Sequence, residues 1–218
     1  MAMDLEVRED KEEKENHASF LRRFELKITP ADLLKLDFAY DLAKYGHRDQ
    51  QRDSGERYFE HLRAVALIIV DELGILDAEI ISASLLHDMM EDNFLLNPER
   101  LQMIFGERVM NLVAALTKPK MKGFPSRQAR NSFYFFQQII AGGAPALIIK
   151  LADRLHNLRT LGACSPAKQR SKLKETKTYC LPLLDRLSQT HPEVAVRLKE
   201  AISAAIRYRE AKLATTSV

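Results

Sequence analysis

Two adjacent residues, His87 and Asp88, stand near the end of an otherwise apolar segment in which Ile80, Ile81, Ala83, Leu85 and Leu86 precede them. A carboxylate in such company has to be neutralised, because burying it alone costs several kcal/mol. One helical turn on come Glu91 and Asp92. If 77–92 is one helix, i to i+4 spacing sets His87 over Glu91 and Asp88 over Asp92 on neighbouring stripes of one face. Acids are misplaced at the C-terminal end of a helix, which favours cations, and the misplacement itself points to a nearby cation. Asp153 repeats the pattern. It interrupts the run Ala146-Leu147-Ile148-Ile149-Lys150-Leu151-Ala152, with Arg154, His156 and Asn157 close behind. A salt bridge from Asp153 to Lys150 or Arg154 would account for it alone. Joined to His87 and Asp88, it makes a set of imidazole and carboxylate ligands suited to Mn2+, Fe2+ or Zn2+; the set has no thiolate, and Ca2+ would want more oxygens. A fourth ligand is needed, and His47, His61 and His156 are all candidates from the residues alone.

The elements that must position these groups read as helix after helix. Thr29-Pro30 is an N-cap followed by proline at the first helical position, and apolar residues recur at helical spacing from Leu33 to Ala43. Residues 47–57 are polar, contain Ser54-Gly55 and form a loop. Further helices are expected over about 61–73, ending at Gly74, and 77–92, with Asp77 as cap. Others follow over 98–106, 107–116, 126–141, and from about Pro145 to 161. The last two span 166–188, bent near Pro182, and 192–212. Period-2 alternation is absent beyond a few residues, so the fold class is all-α.

At 218 residues, 46% hydrophobic and 29% charged, the chain suits one soluble domain. Its formal net charge of +3 gives no general case for nucleic acid. No apolar run is long enough to span a bilayer, and the acidic start has the wrong charge for a signal peptide. Cys164 and Cys180 are in no metal-binding spacing, which fits free thiols and a cytoplasmic setting. Residues 1–28 are expected to be an acidic tail with a leading helix or extension, 29–212 the working domain, and 213–218 a disordered end. Two basic clusters, Lys118 to Arg130 and Lys168 to Lys177, either line a site for a polyphosphorylated small molecule or form solvated faces.

Four stretches occur in order: RDSGERYFEH (52–61), LLHDMMEDN (85–93), FGERVMNLVAALTK (105–118) and IKLADRLHNLRTL (149–161). With them the chain resembles the HD superfamily of metal-dependent phosphohydrolases, and within it the hydrolase domain of the RelA/SpoT family. The likeness runs from about residue 30 to about 190. It implies an HD-domain helical bundle whose metal ligands are His61, His87, Asp88 and Asp153, leaving His47 and His156 outside the ligand set. It implies Glu91 and Asp92 as the acids that activate water, and Arg52, Ser54, Asn157, Thr160 and Tyr179 as substrate contacts. Lys150 and Arg154 are read as salt-bridge partners. The implied cofactor is Mn2+, with Fe2+, Zn2+ or Co2+ as alternatives.

The implied reaction removes the 3′-pyrophosphate of ppGpp or pppGpp, giving GDP or GTP and pyrophosphate. The length resembles stand-alone small alarmone hydrolases, for which a cognate alarmone synthetase is a candidate partner. Alternatives are an HD phosphohydrolase acting on another phosphorylated nucleotide such as NADPH, and a non-catalytic nucleotide sensor. The chain departs from the family at Asp53, where a Lys or Arg is common, and at Leu62, where the family has proline. A third departure is ETKTYCLPLLDRLS (175–188), which keeps Tyr179 but has Asp185 at a basic position.

Overall fold

Helix starts follow the cap chemistry of the sequence. In the computed structural model, which describes residues 15–92 and 96–215, the side chain of Thr29 accepts from the Asp32 N–H (3.1 Å). Asn97 does the same for Arg100 (2.9 Å), and both helices carry proline in the first turn. The helices are α1 (His17–Arg22), α2 (Pro30–Gly46), α3 (Tyr58–Leu67), α4 (Ala78–Leu86), α5 (Met89–Asp92) and α6 (Pro98–Phe105). They continue with α7 (Glu107–Leu116), α8 (Arg127–Phe133), α9 (Gly143–Arg159), α10 (Pro166–Glu175), α11 (Leu181–Ser188) and α12 (Pro192–Thr215). The described residues contain no strand; a single bridge between Gln51 and Arg57 pinches the loop before α3, and Gly55 at φ 81° makes the turn inside it.

Helices α4 and α9 are the central elements. From Ile80 to Leu86 every residue of α4 is buried, and it packs on α2, α3, α7 and α9. Helix α9 packs on α3, α7, α11 and α12 and buries two charged residues, Asp153 and Arg154. At the N-terminal edge α1 contacts α2, with Phe20 fully buried against Tyr40. Residues 1–14 of the expected tail lie outside the described residues. The expected end of the domain at 212 falls inside α12, which continues to Thr215, and 216–218 lie outside the described residues.

Three sequence boundaries are corrected. The helix expected to start at His61 starts at Tyr58, so His61 sits in its first turn and not at its tip. The single helix expected over 77–92 is two, α4 and α5, with His87 and Asp88 in the turn between them. The cause is local: the His87 ring donates from Nδ1 to the Ser84 carbonyl (2.7 Å), competing for the oxygen that the Asp88 N–H would take in a continuing helix. The segment expected as one helix over 126–141 contains a π-turn, Tyr134–Ile139, and the one expected over 166–188 with a bend near Pro182 contains another, Thr176–Cys180, just before that proline.

Candidate active site

Helix α3 brings His61, and the α4–α5 turn brings His87 and Asp88, so that one ligand atom from each lies within 4.8 Å of the others. Helix α9 adds Asp153, whose Oδ1 is 3.2 Å from His61 Nε2. His61, His87 and Asp153 are 5% exposed or less.

The donor chemistry of this group calls for a cation. A carbonyl can only accept, so the His87 Nδ1 that meets the Ser84 oxygen carries the proton, and in the neutral ring Nε2 is a bare lone pair. That Nε2 is buried without a hydrogen-bond partner and faces Asp88 Oδ2 at 3.4 Å. Two acceptors facing one another are stable only with a positive charge between or beside them. On the far side, the His61 Nε2 proton is what ties His61 to Asp153, and a divalent ion can take the place of that proton. Nitrogen and oxygen donors without sulfur fit a borderline ion such as Mn2+, Fe2+ or Zn2+.

The groups behind the cluster hold it in shape. The hydroxyl of Tyr58 donates to Asp88 Oδ2 (2.6 Å), and its ring stacks on buried His47 with centroids 4.9 Å apart. Burial, followed by the Asp88 charge and hydrogen bond, pushes the Tyr58 hydroxyl well above its ordinary pKa, so it stays a donor. His61 Nδ1 meets His156 Nδ1 at 2.8 Å. Burial, then His61 and Arg52, press His156 down to about 3, so it stands behind His61 as a neutral ring. Burial opposes ionisation of Asp88 and Asp153. The opposition is overcome at Asp88 by His87, His61 and the Tyr58 hydrogen bond, and at Asp153 by Lys150 and His61, so both lie below the ordinary carboxylate range.

Lys150 Nζ bonds Asp153 Oδ2 (2.9 Å) and Arg154 bonds Glu175 (2.5 Å), the salt-bridge roles anticipated for them. Asn157 links two expected functions: its amide donates to Asp153 while its oxygen accepts from Arg52 (2.5 Å).

The cluster opens into a cavity of about 360 Å³. Arg52, Ser54, Asn157 and Thr160 line it beside His61, Asp88 and Asp153. Tyr179 does not reach it; the ring is buried and stacks on Phe135, 5.2 Å between centroids, and it is Phe135 that faces the cavity. The side chains of Glu91 and Asp92 lie outside the described residues, and only their backbone, in α5, is placed.

Both readings of the basic clusters apply, residue by residue: Lys118, Lys168 and Lys172 line the cavity, whereas Lys120, Lys122, Arg127, Arg170, Lys174 and Lys177 are exposed. Lys118 lies over the Tyr134 and Phe135 rings (5.5 and 5.8 Å), and burial, the largest influence, brings its ammonium down to about 8. Sequence reasoning missed Tyr58 and left the buried His47 and His156 without a role. A tyrosine three residues before a ligand histidine on the same helix was the available signal for Tyr58.

A family model described as an HD domain matches residues 39–189. A Synechocystis protein, "Probable guanosine-3′,5′-bis(diphosphate) 3′-pyrophosphohydrolase", is 41% identical over 152 residues, which is 69% of this chain and 19% of that protein. The Escherichia coli K12 "Bifunctional (p)ppGpp synthase/hydrolase SpoT" is 37% identical over 165 residues, covering 74% of this chain and 23% of the relative. The chain thus spans about a fifth of the length of these relatives. A solved structure described as "A metazoan ortholog of SpoT hydrolyzes ppGpp and plays a role in starvation responses" superposes with a TM-score of 0.65 at 26% identity, covering 78% of this chain and 94% of the other.

Proposed function

Because this chain belongs to the HD domain family and is homologous to the RelA/SpoT hydrolases, we propose that it hydrolyses the 3′-pyrophosphate ester of ppGpp and pppGpp, releasing pyrophosphate and GDP or GTP. The observation that carries the reading is the buried, unpartnered His87 Nε2 facing Asp88, which itself lines a cavity that Arg52, Lys118, Lys168 and Lys172 also line. His61, His87, Asp88 and Asp153 would hold the ion, with Mn2+ expected. When bound, a divalent ion supplies Lewis-acid activation of water and neutralises phosphoryl charge. Tyr58 and His156 fix the directions of Asp88 and His61. Glu91 or Asp92, on the helix directly after the ligand turn, takes the proton of the attacking water, and its partner returns one to the leaving oxygen.

Arg52, whose hydrogen-bond partner Asn157 is neutral, keeps its full charge for a phosphate. Lys118 and Lys172 line the same space. These cations meet a polyanion without stacking its charge on the carboxylates. Ser54 and Thr160 offer hydroxyls within the same cavity. The reading carries with it a cytoplasmic setting and an alarmone synthetase as a candidate partner. Among the described residues no helix is long and apolar enough to cross a membrane.

Incubating the Mn2+-loaded protein with ppGpp and with NADPH side by side tests the reading. The expected outcome is Mn2+-dependent release of pyrophosphate and GDP from ppGpp, with slower or no phosphate release from NADPH. Faster turnover of NADPH would overturn the substrate, and tight nucleotide binding without turnover of either would make the protein a sensor.

A further inference from the structure

One contact at the cavity mouth plays no part in that chemistry. Asp53, on the loop before α3, reaches across to Lys168 in the first turn of α10, Oδ2 to Nζ 2.7 Å. The Cys164 thiol lies beside the same carboxylate and helps to hold it ionised. All three residues line the cavity, so the pair joins one lip to the other. Cys164 and Lys168 hold Asp53 below the ordinary carboxylate range, and the bond to Asp53 holds Lys168 above the ordinary lysine range. Both groups are therefore charged at neutral pH.

The two side chains remain 44% and 48% exposed, and an ion pair that wet holds weakly and changes partners readily. The loop does not depend on it. The Gln51–Arg57 bridge and the Arg52–Asn157 hydrogen bond anchor the loop, and Arg57 is itself paired with Glu60.

We infer that Asp53 is a specificity-determining residue, an internal anion occupying the place on Lys168 that a phosphate group of the incoming nucleotide takes. This rests on the reading of the cavity as a phosphorylated-nucleotide site and adds a selection rule to it. A ligand enters fully only by displacing a carboxylate from an ammonium group. A diphosphate has the charge and the oxygens to do so; a neutral nucleoside has nothing to exchange. The freed Asp53 side chain turns to solvent, where it is already half exposed.

Two other roles for Asp53 are separable from this one: diffuse repulsion of any anion, and a staple that shapes the loop. Calorimetric titration of GDP into the Mn2+-loaded wild type, Asp53→Asn, Lys168→Met and the double variant distinguishes them, with guanosine as the neutral control and two salt concentrations. Asp53→Asn should tighten GDP binding about two- to fivefold, the range for releasing an exposed pair, and less at high salt. Lys168→Met should weaken it by a similar factor. In the Lys168→Met background, Asp53→Asn should change nothing, and guanosine should be indifferent throughout.

Equal tightening in both backgrounds would show repulsion that does not act through Lys168. Weakened GDP binding in Asp53→Asn would show a staple. A gain for guanosine as large as that for GDP would mean that Lys168 reads the base. Any of these overturns the proposal, as does an absence of GDP binding in all four proteins. Turnover of ppGpp is measured separately: if it is absent while the GDP pattern holds, the proposed activity fails and the role of Asp53 stands.

Discussion

Replacing Tyr58 with Phe removes one oxygen and tests whether Asp88 is held as a metal ligand from behind. The ring contacts survive the change: stacking on His47 at 4.9 Å and the edge contact to His61 at 5.7 Å need no hydroxyl. What goes is the 2.6 Å hydrogen bond to Asp88 Oδ2. A hydrogen bond to a charged group contributes about 1.5–3 kcal/mol. If all of it is spent orienting a ligand, Mn2+ affinity should fall about 10- to 100-fold, the range seen when the partner of a metal ligand is removed. Titrating Mn2+ into chelator-stripped wild type and variant, by calorimetry or by the loss of the free-ion paramagnetic signal, gives the two dissociation constants. At saturating Mn2+ the maximal rate should recover, because the hydroxyl acts through Asp88 and touches no reacting atom. An unchanged Mn2+ affinity would refute the reasoning. Intact affinity with a lost maximal rate would move the hydroxyl from behind the ligand to the substrate side.

Asp153→Ala and Asp88→Ala should both abolish metal binding, yet differ in the metal-free protein. The first strands the half-buried Lys150 ammonium and should cost about 2–4 kcal/mol in denaturant unfolding, somewhat under the range for a fully buried pair, whereas the second removes a carboxylate that Asp153 repels and should cost much less; equal losses would count against the Lys150–Asp153 pairing. Lys118 should carry its charge below about pH 8 and lose it above, so the KM for ppGpp should rise as pH passes that value. Lys118→Met should show a raised KM with no such limb, and identical pH dependence in the two proteins would exclude Lys118 from binding. Glu91→Gln should keep full Mn2+ content while turnover falls by about 10²-fold, the effect of losing a general base, and wild-type turnover would leave Glu91 as a capping acid.

Much of this arrangement is legible in the chain because its signals are local. Thr29-Pro30 and Asp77 mark helix starts through side-chain chemistry within three residues, and the structure has both caps. Asp88 and Asp153 are legible for the complementary reason, a carboxylate where burial forbids an unpaired one. Two kinds of fact are not local. The break after Leu86 depends on a ring-to-backbone hydrogen bond that competes with a helical one, a near balance that periodicity does not register. The partner of Asp53, Lys168, is 115 positions away, and no pattern within the loop points to it. Tyr179 shows the same limit from the other side, since kinship in sequence does not say which aromatic of a stack, Phe135 or Tyr179, faces the cavity.

The π-turn at Tyr134–Ile139 bears on how such a cavity can change over generations. Successive residues of an α-helix point about 100° apart, yet Tyr134 and Phe135 both line the cavity, because the wider turn accommodates one residue more than an α-turn would. Deleting a single codon there would restore regular winding and rotate one of the two rings off the wall. His61, His87, Asp88 and Asp153, carried by other elements, would keep their places. Phe135 stacks on Tyr179, which belongs to another π-turn, Thr176–Cys180. The two wide turns thus meet through one stacked pair of rings at the cavity wall, so a change of winding in either would be felt in the other, while the side chains of the candidate metal site sit on separate elements.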